Sequence, residues 1–218
     1  MGGIGQFYRS TIGRKVVMAA TGLVLVGYLL VHVAGNLLVF RGPQAINGYA
    51  HFLQSSAALL WGVRTVLILS FVFHVHSAWT LARDARAARP QGYRHLEKQA
   101  SGWPARSMGW GGVLLFVFII YHILHFTTGT VHPRFVAGEV YDNVLSGFRV
   151  PAVAVFYLIA MVALALHLRH GVWSVFQTLG AGHPRVGPLR RRLALFLALL
   201  IPVGLGVIPL AIVLGLFP

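Results

Sequence analysis

The chain has 218 residues, 57% of them hydrophobic and only 10% charged, with a mean hydropathy of +0.74. A soluble domain carries about 25% charged residues, so the composition excludes one and implies an integral membrane protein. The net charge of +14 would suit a nucleic-acid partner, but its distribution among loops argues against one, and the lack of cysteine excludes disulfides and thiolate-bound iron–sulfur clusters.

Five stretches are long and apolar enough to span a bilayer: 16–40, 57–82, 110–131, 150–176 and 193–217. Little sequence remains beside them, so a single all-α membrane domain over residues 1–218 is expected. The first stretch is too long for a signal-peptide core, and no small-residue cleavage site follows it. Arg9, Arg14 and Lys15 precede span one. Arg83, Arg86, Arg89, Arg94, Lys98 and Arg106 fall between spans two and three, and Arg169, Arg185 and Arg190, Arg191 and Arg192 lie around the end of span four and the start of span five. The opposite loops and their flanks hold only Arg41, Arg64, Arg134 and Arg149. This is the positive-inside pattern, which places the N-terminus in the cytoplasm and the C-terminus outside. Contact of the basic loops with anionic lipid headgroups accounts for most of the asymmetry.

Each of the first four spans carries a deep histidine: His32, His74, His122 and His167. An ionisable side chain at membrane depth is costly and points to function. Span one runs outward, and His32 lies sixteen residues along it, roughly 24 Å up. Span three also runs outward, with His122 roughly 18 Å up. Spans two and four run inward, and His74 and His167 lie roughly 12–14 Å above their inner ends. Depth therefore pairs His32 with His122 in the outer half and His74 with His167 in the inner half. Two neutral imidazoles on opposite faces of a haem iron leave no open position for oxygen, which is electron-transfer chemistry. Two haems b held this way, by a bundle of the first four helices, are the expected cofactors.

The halves rhyme. His32 precedes His74 by 42 residues and His122 precedes His167 by 45, and His74-Val-His-Ser-Ala-Trp79 resembles His167-Leu-Arg-His-Gly-Val-Trp173. His76 lies nearly opposite His74 on its helix. His125 and His170 follow the central histidines by three residues and share their faces, nearer the membrane surface, where propionate or quinone contact and plain interfacial placement are both open. His51, His95, His132 and His183 lie in or near loops, where solvation is the default. Span five holds Pro202 and Pro209 but no histidine, so packing or lipid contact is expected of it. No carboxylate lies within a span: the four acidic residues, Asp84, Glu97, Glu139 and Asp142, all fall in loops.

Several motifs resemble those of the cytochrome b subunits of succinate:quinone oxidoreductases, in particular the single-chain, five-helix, dihaem b558-type anchor. They are Gly13-Arg-Lys-Val-Val-Met18 leading to Val31-His32-Val-Ala-Gly-Asn36, Phe73-His74 followed by Arg86-Ala-Ala-Arg-Pro90, Tyr121-His122-Ile-Leu-His125-Phe126, and Leu166-His167-Leu-Arg-His-Gly-Val-Trp-Ser174. The resemblance implies haem ligation by His32, His74, His122 and His167, with the same pairing. It also implies a cytoplasmic flavoprotein and iron–sulfur subunit as partners, which would hold the FAD and clusters, and a membrane quinone, menaquinone in this type. Quinone candidates are Ser10 and Arg14 at the cytoplasmic mouth of span one, and Tyr49, His51 and Gln54 on the outer side. The alternatives are a cytochrome b subunit of formate dehydrogenase or hydrogenase type, which the Leu166–Ser174 motif disfavours, and a histidine-lined metal or proton transporter. Transporters place broken helices or carboxylates at their sites, and spans one to four offer neither.

Overall fold

A serine sets the first boundary. In the computed structural model, which describes residues 3–88, 103–180 and 183–217, Ser10 is extended (φ −75°, ψ 152°) between α1 (Gly3–Arg9) and α2 (Thr11–Asn36). Its Oγ accepts from the Gly13 amide at 2.9 Å, satisfying one of the donors that a helix start leaves orphaned. After α2 the chain tightens into a 3-10 turn, Leu37–Arg41, and breaks at Gly42, whose φ of 92° suits a residue without a Cβ. Then follow α3 (Pro43–Gln54), α4 (Ala57–Ala87), α5 (Trp103–Phe126), α6 (Val140–Phe148), α7 (Pro151–Thr178) and α8 (Gly187–Val213). Among the described residues there is no strand.

Five segments are long and apolar enough to cross a membrane: Thr11–Arg41, Ala57–Ala87, Ser107–Phe126, Pro151–Thr178 and Gly187–Val213. All five outrun the apolar stretches at their basic ends, and the fifth closes at Val213 instead of 217. Hydropathy stops at the first arginine, whereas a helix continues until its backbone is capped or broken, and long basic side chains reach water from its last turns. The third is shorter at its far end than expected, closing at Phe126 instead of 131, because the chain turns at Gly129 (φ 71°). Arg89, Pro90, Arg94, His95, Glu97 and Lys98 of the long basic loop lie outside the described residues.

The connections 41–56 and 127–149 contain α3 and α6. These two helices cap one end of the molecule, opposite the basic end. Asn47 joins them: its Nδ2 donates to Glu139 at 3.0 Å and its Oδ1 accepts from the Tyr141 amide at 2.9 Å. Asn143 pins the preceding loop through both backbone groups of Val136, at 2.9 and 2.7 Å.

α7 is the packing centre, in contact with α8, α5 and α2, while α4 leans on α2. The main core joins α7 to α5, α6 and α8 through Ala154, Tyr157, Ala160, Met161, Phe118, Val144, Phe148, Ile208 and Ile212. Of the two roles expected of span five, packing dominates: α8 is the most buried of the five, through Ala194, Ala198, Ile201, Pro209, Ala211 and their neighbours. Small residues allow this close approach. Gly204 lies against Val33 of α2, and Gly206 against Leu158 and Met161 of α7.

Candidate functional site

Among α2, α4, α5 and α7, the neighbours α2–α4, α2–α7 and α5–α7 pack backbone to backbone, but α2 with α5 and α4 with α7 do not. The deep histidines bridge these two unpacked diagonals. His32 of α2 and His122 of α5 have ring centres 5.8 Å apart, with planes at 85°. His74 of α4 and His167 of α7 have ring centres 6.2 Å apart, with planes at 56°. The pairs are those that depth alone selected. His32 and His122 lie near the capped end, and His74 and His167 nearer the basic end.

What holds each ring is more informative than its burial. His74 Nδ1 lies 3.1 Å from the Met18 carbonyl and 3.4 Å from Thr21 Oγ1. A carbonyl only accepts, so Nδ1 carries the proton and Nε2 keeps its lone pair. Gly22 supports the same ring from below, where a Cβ would meet Cε1 at 3.3 Å. His122 Nδ1 is 3.3 Å from the Tyr157 hydroxyl, and His32 Nδ1 is 3.3 Å from that of Tyr28, one turn earlier on α2. Of these four rings, His167 alone has its Nδ1 buried without a partner among the described residues. Fixing Nδ1 by a hydrogen bond is how a protein orients an imidazole whose Nε2 is to ligate a metal. Among the described residues no group of three or more His, Asp or Glu side chains is arranged to hold a bare ion. The donor set is thus two facing imidazoles per site, suited to a metal whose remaining coordination is already filled.

Tyr157 also contacts a third histidine: its hydroxyl is 3.0 Å from His125 Nδ1. His125, expected at the interface, is 2% exposed. It packs on Phe126 (ring centres 4.1 Å) and His132 (4.7 Å). His132, expected in solvent, is 5% exposed, and its Nε2 meets Ser146 Oγ of α6 at 3.0 Å. The reason for both differences is α6, which folds over the end of α5 and excludes water. Burial holds the His132 pKa below its ordinary value; the nearby His125 backbone opposes this more weakly, falling short of hydrogen-bond geometry at Nδ1. Tyr157 and Tyr28 were missed by the sequence reading. Tyr28 was accessible as an i, i+4 neighbour of His32, but no local spacing links Tyr157 to His122.

The remaining candidates are scattered. Ser10 Oγ donates to the Phe7 carbonyl at 2.7 Å while accepting from Gly13, so its hydroxyl is committed to capping. Arg14 pairs with Asp84 of α4 at 2.7 Å, linking α2 to α4 at the basic end. Tyr49 presses against Gly35 of α2, and His51 and Gln54 stand exposed on α3. His76 Nδ1 is 2.6 Å from the Tyr8 hydroxyl of α1. A recess of about 290 Å³ between α4 and α5, lined by Phe71, Val72, Val75, His76, Trp79 and Phe116, contains none of the paired histidines.

Fold and site together define a multi-pass helical membrane protein with two close imidazole pairs, one toward each end. The chain is similar to the succinate dehydrogenase cytochrome b558 subunit of Bacillus subtilis (strain 168), with 25% identity over 194 residues that cover 87% of this chain and 89% of that protein. That likeness bears out the family resemblance drawn from the histidine motifs. No protein-family model matches the chain, and no solved structure matches it.

Proposed function

We propose that this chain is the dihaem b membrane anchor of a succinate:quinone oxidoreductase. In this reading His32 and His122 hold the outer haem and His74 and His167 the inner one. The N-terminus and basic end face the cytoplasm, where an iron–sulfur subunit and a flavoprotein dock, and membrane quinone, menaquinone by analogy, exchanges electrons with the chain.

The observation that carries the reading is the pair of ring separations. Metal–imidazole bonds of about 2 Å on each side of one iron put the two ring centres roughly 6 Å apart. The observed values are 5.8 and 6.2 Å. Bound haem supplies one-electron chemistry, and its potential answers to the axial ligands, their hydrogen bonds and burial. The residues of the chain do the rest. The Met18 carbonyl sets the His74 tautomer. Tyr157 accepts from His122 Nδ1–H and donates its own O–H to His125 Nδ1, so one hydroxyl orients both rings. Apolar packing from Phe118, Phe126 and Phe148 around Tyr157 keeps water from the outer pair. Because Ser10 and Arg14 are occupied by a cap and an ion pair, the exposed His51 and Gln54 on α3 are the better quinone contacts of those considered.

The test is a dithionite-reduced minus air-oxidised spectrum of the purified chain, with pyridine haemochrome quantitation. Two haems b per chain are expected. His32→Ala or His122→Ala should remove the outer haem alone, and His74→Ala or His167→Ala the inner. A flat spectrum from intact, haem-supplied protein would sink the cytochrome reading and favour a transporter. Succinate-dependent haem reduction with a co-purifying FAD subunit separates this assignment from a formate dehydrogenase or hydrogenase cytochrome.

A further inference from the structure

The loop after α5 folds back so that His132 rests on the last turn of that helix, and its two ring nitrogens meet different surroundings. Ser146 Oγ has one proton and gives it to the Asp142 carbonyl at 2.7 Å. In the 3.0 Å contact with His132 Nε2 the imidazole therefore donates. The neutral ring then carries its proton on Nε2, and Nδ1 is a buried lone pair without a hydrogen-bond partner. The backbone of His125 lies close to Nδ1, short of hydrogen-bond geometry, and favours the charged imidazole. A backbone group does that through its carbonyl. No amide among the described residues bonds this carbonyl, one of the acceptors that a helix end leaves over.

The hydrogen-bonding groups around this ring suit a second proton. On Nδ1 that proton would meet the free carbonyl, while Nε2–H kept Ser146. The positive charge would sit at the C-terminus of α5, where the helix dipole favours a cation. Burial opposes it and holds protonation below the ordinary histidine range. A proton needs no cavity, since local opening of the cap admits it. The titratable group packed on the ring is His125 of α5, with ring centres 4.7 Å apart. From α6 it meets the Ser146 hydroxyl, and Arg134 of its own loop, Asp142 of α6 and Arg149 beyond α6 are exposed. Tyr157 of α7 reaches it through His125.

We propose that His132 is a proton-binding site through which pH at the capped end acts on the outer imidazole pair, along the line His132, His125, Tyr157, His122. Only the last step, in which His122 is an iron ligand, rests on the dihaem reading. The direction follows from charge. A proton on His132 sets a cation beside His125 and makes its Nδ1 a poorer acceptor for Tyr157 O–H, now at 3.0 Å. The hydroxyl becomes in turn a poorer acceptor for His122 Nδ1–H, at 3.3 Å. His122 is then a weaker electron donor, which favours the reduced state of a metal it ligates. The direct field of the added charge acts in the same sense. By linkage, an electron arriving at the outer pair draws a proton onto His132.

The test labels the histidines of the full chain with ¹³C and ¹⁵N and follows them by NMR in the dithionite-reduced protein, from about pH 8 to 4. The His132 resonance, identified by its loss in His132→Gln, should titrate with a midpoint below the ordinary 6.5. The His125 and His122 ring resonances should shift with that same midpoint in wild type and not in His132→Gln. Over the same range the reduction constant of the outer centre should rise about threefold more in wild type than in His132→Gln, about 30 mV for one electron. The inner centre should respond alike in both. Tyr157→Phe should keep the His132 titration and lose most of the response at His122. Ser146→Ala removes the acceptor of Nε2–H and should lower the midpoint further, and it carries the test if His132→Gln fails to fold. A His132 that stays neutral down to about pH 4 would overturn the proposal. So would a His122 response that persists unchanged in His132→Gln or Tyr157→Phe. A chain that binds no haem would refute the dihaem reading instead, and the proton site then stands or falls on the His122 resonance.

Discussion

Tyr157→Phe isolates one hydroxyl at the centre of the outer site. The residue is 5% exposed, and its ring touches Phe118 and Phe148 at centroid distances of 4.9 Å each. Phenylalanine keeps those contacts and opens no cavity, so the several kcal/mol of a large-to-small core substitution does not apply. What is lost is the link to His122 Nδ1 at 3.3 Å and to His125 Nδ1 at 3.0 Å. Leaving a buried polar group without its partner costs about 1–3 kcal/mol, and deleting a support behind a metal ligand typically costs 10–100-fold in affinity. The variant should therefore fold and keep the inner haem. It should bind the outer haem at least tenfold more weakly, and the outer potential should shift while the inner stays constant. Haem titration of the apo-chain, with a redox titration of both centres, reads each quantity. Equal weakening of both haems, or none, would refute the reasoning, because only His122 among the four proposed ligands touches this hydroxyl.

Three further outcomes follow from the same geometry. Gly22→Val places a branched side chain where even a Cβ approaches His74 Cε1 to 3.3 Å; the inner haem should be lost selectively, as read by haem per chain against wild type. Gly204→Ala brings a methyl to 2.7 Å from Val33 Cγ1, an overpacking cost of about 1–3 kcal/mol, and Val33→Ala in the same chain should restore most of the melting temperature. His132 is held below its ordinary pKa by burial, so the opened cap binds a proton more readily than the closed one. Closure of α6 is then fully stable above about pH 6.5 and weakens as pH falls from there toward the lowered value. The protection factors of the Val140–Phe148 amides, with the intrinsic pH dependence of exchange divided out, should fall between pH 7.5 and 5.5 in wild type and show no such acid-linked change in His132→Gln.

The histidine pairing was legible in the sequence because depth along a helix is a one-dimensional quantity. Rise per residue and the direction of each span suffice to match His32 with His122 and His74 with His167, and those rings do face one another. The spans were legible for the same reason, since apolarity is summed along the chain, although their ends were not: caps such as Ser10 and breaks such as Gly129 terminate helices by backbone geometry that hydropathy does not measure.

What needed the tertiary structure is everything that depends on rotation and on who lies opposite. His125 and His132 read as interfacial and solvated because their own segments end there, yet α6 arrives from further along the chain and buries both. Tyr157 meets His122 only because α5 and α7 pack with those faces together. Packing or lipid contact was expected of α8, and the structure decides for packing: in a membrane small residues mark interfaces better than polarity does, and it is the most buried span. Composition and spacing alone determined the class of protein, the number of spans and the heights of the deep histidines. The hydrogen-bond partners of His74 and His122, and the burial of His125 and His132 beneath α6, were decided only when helices distant in sequence fixed their relative rotation.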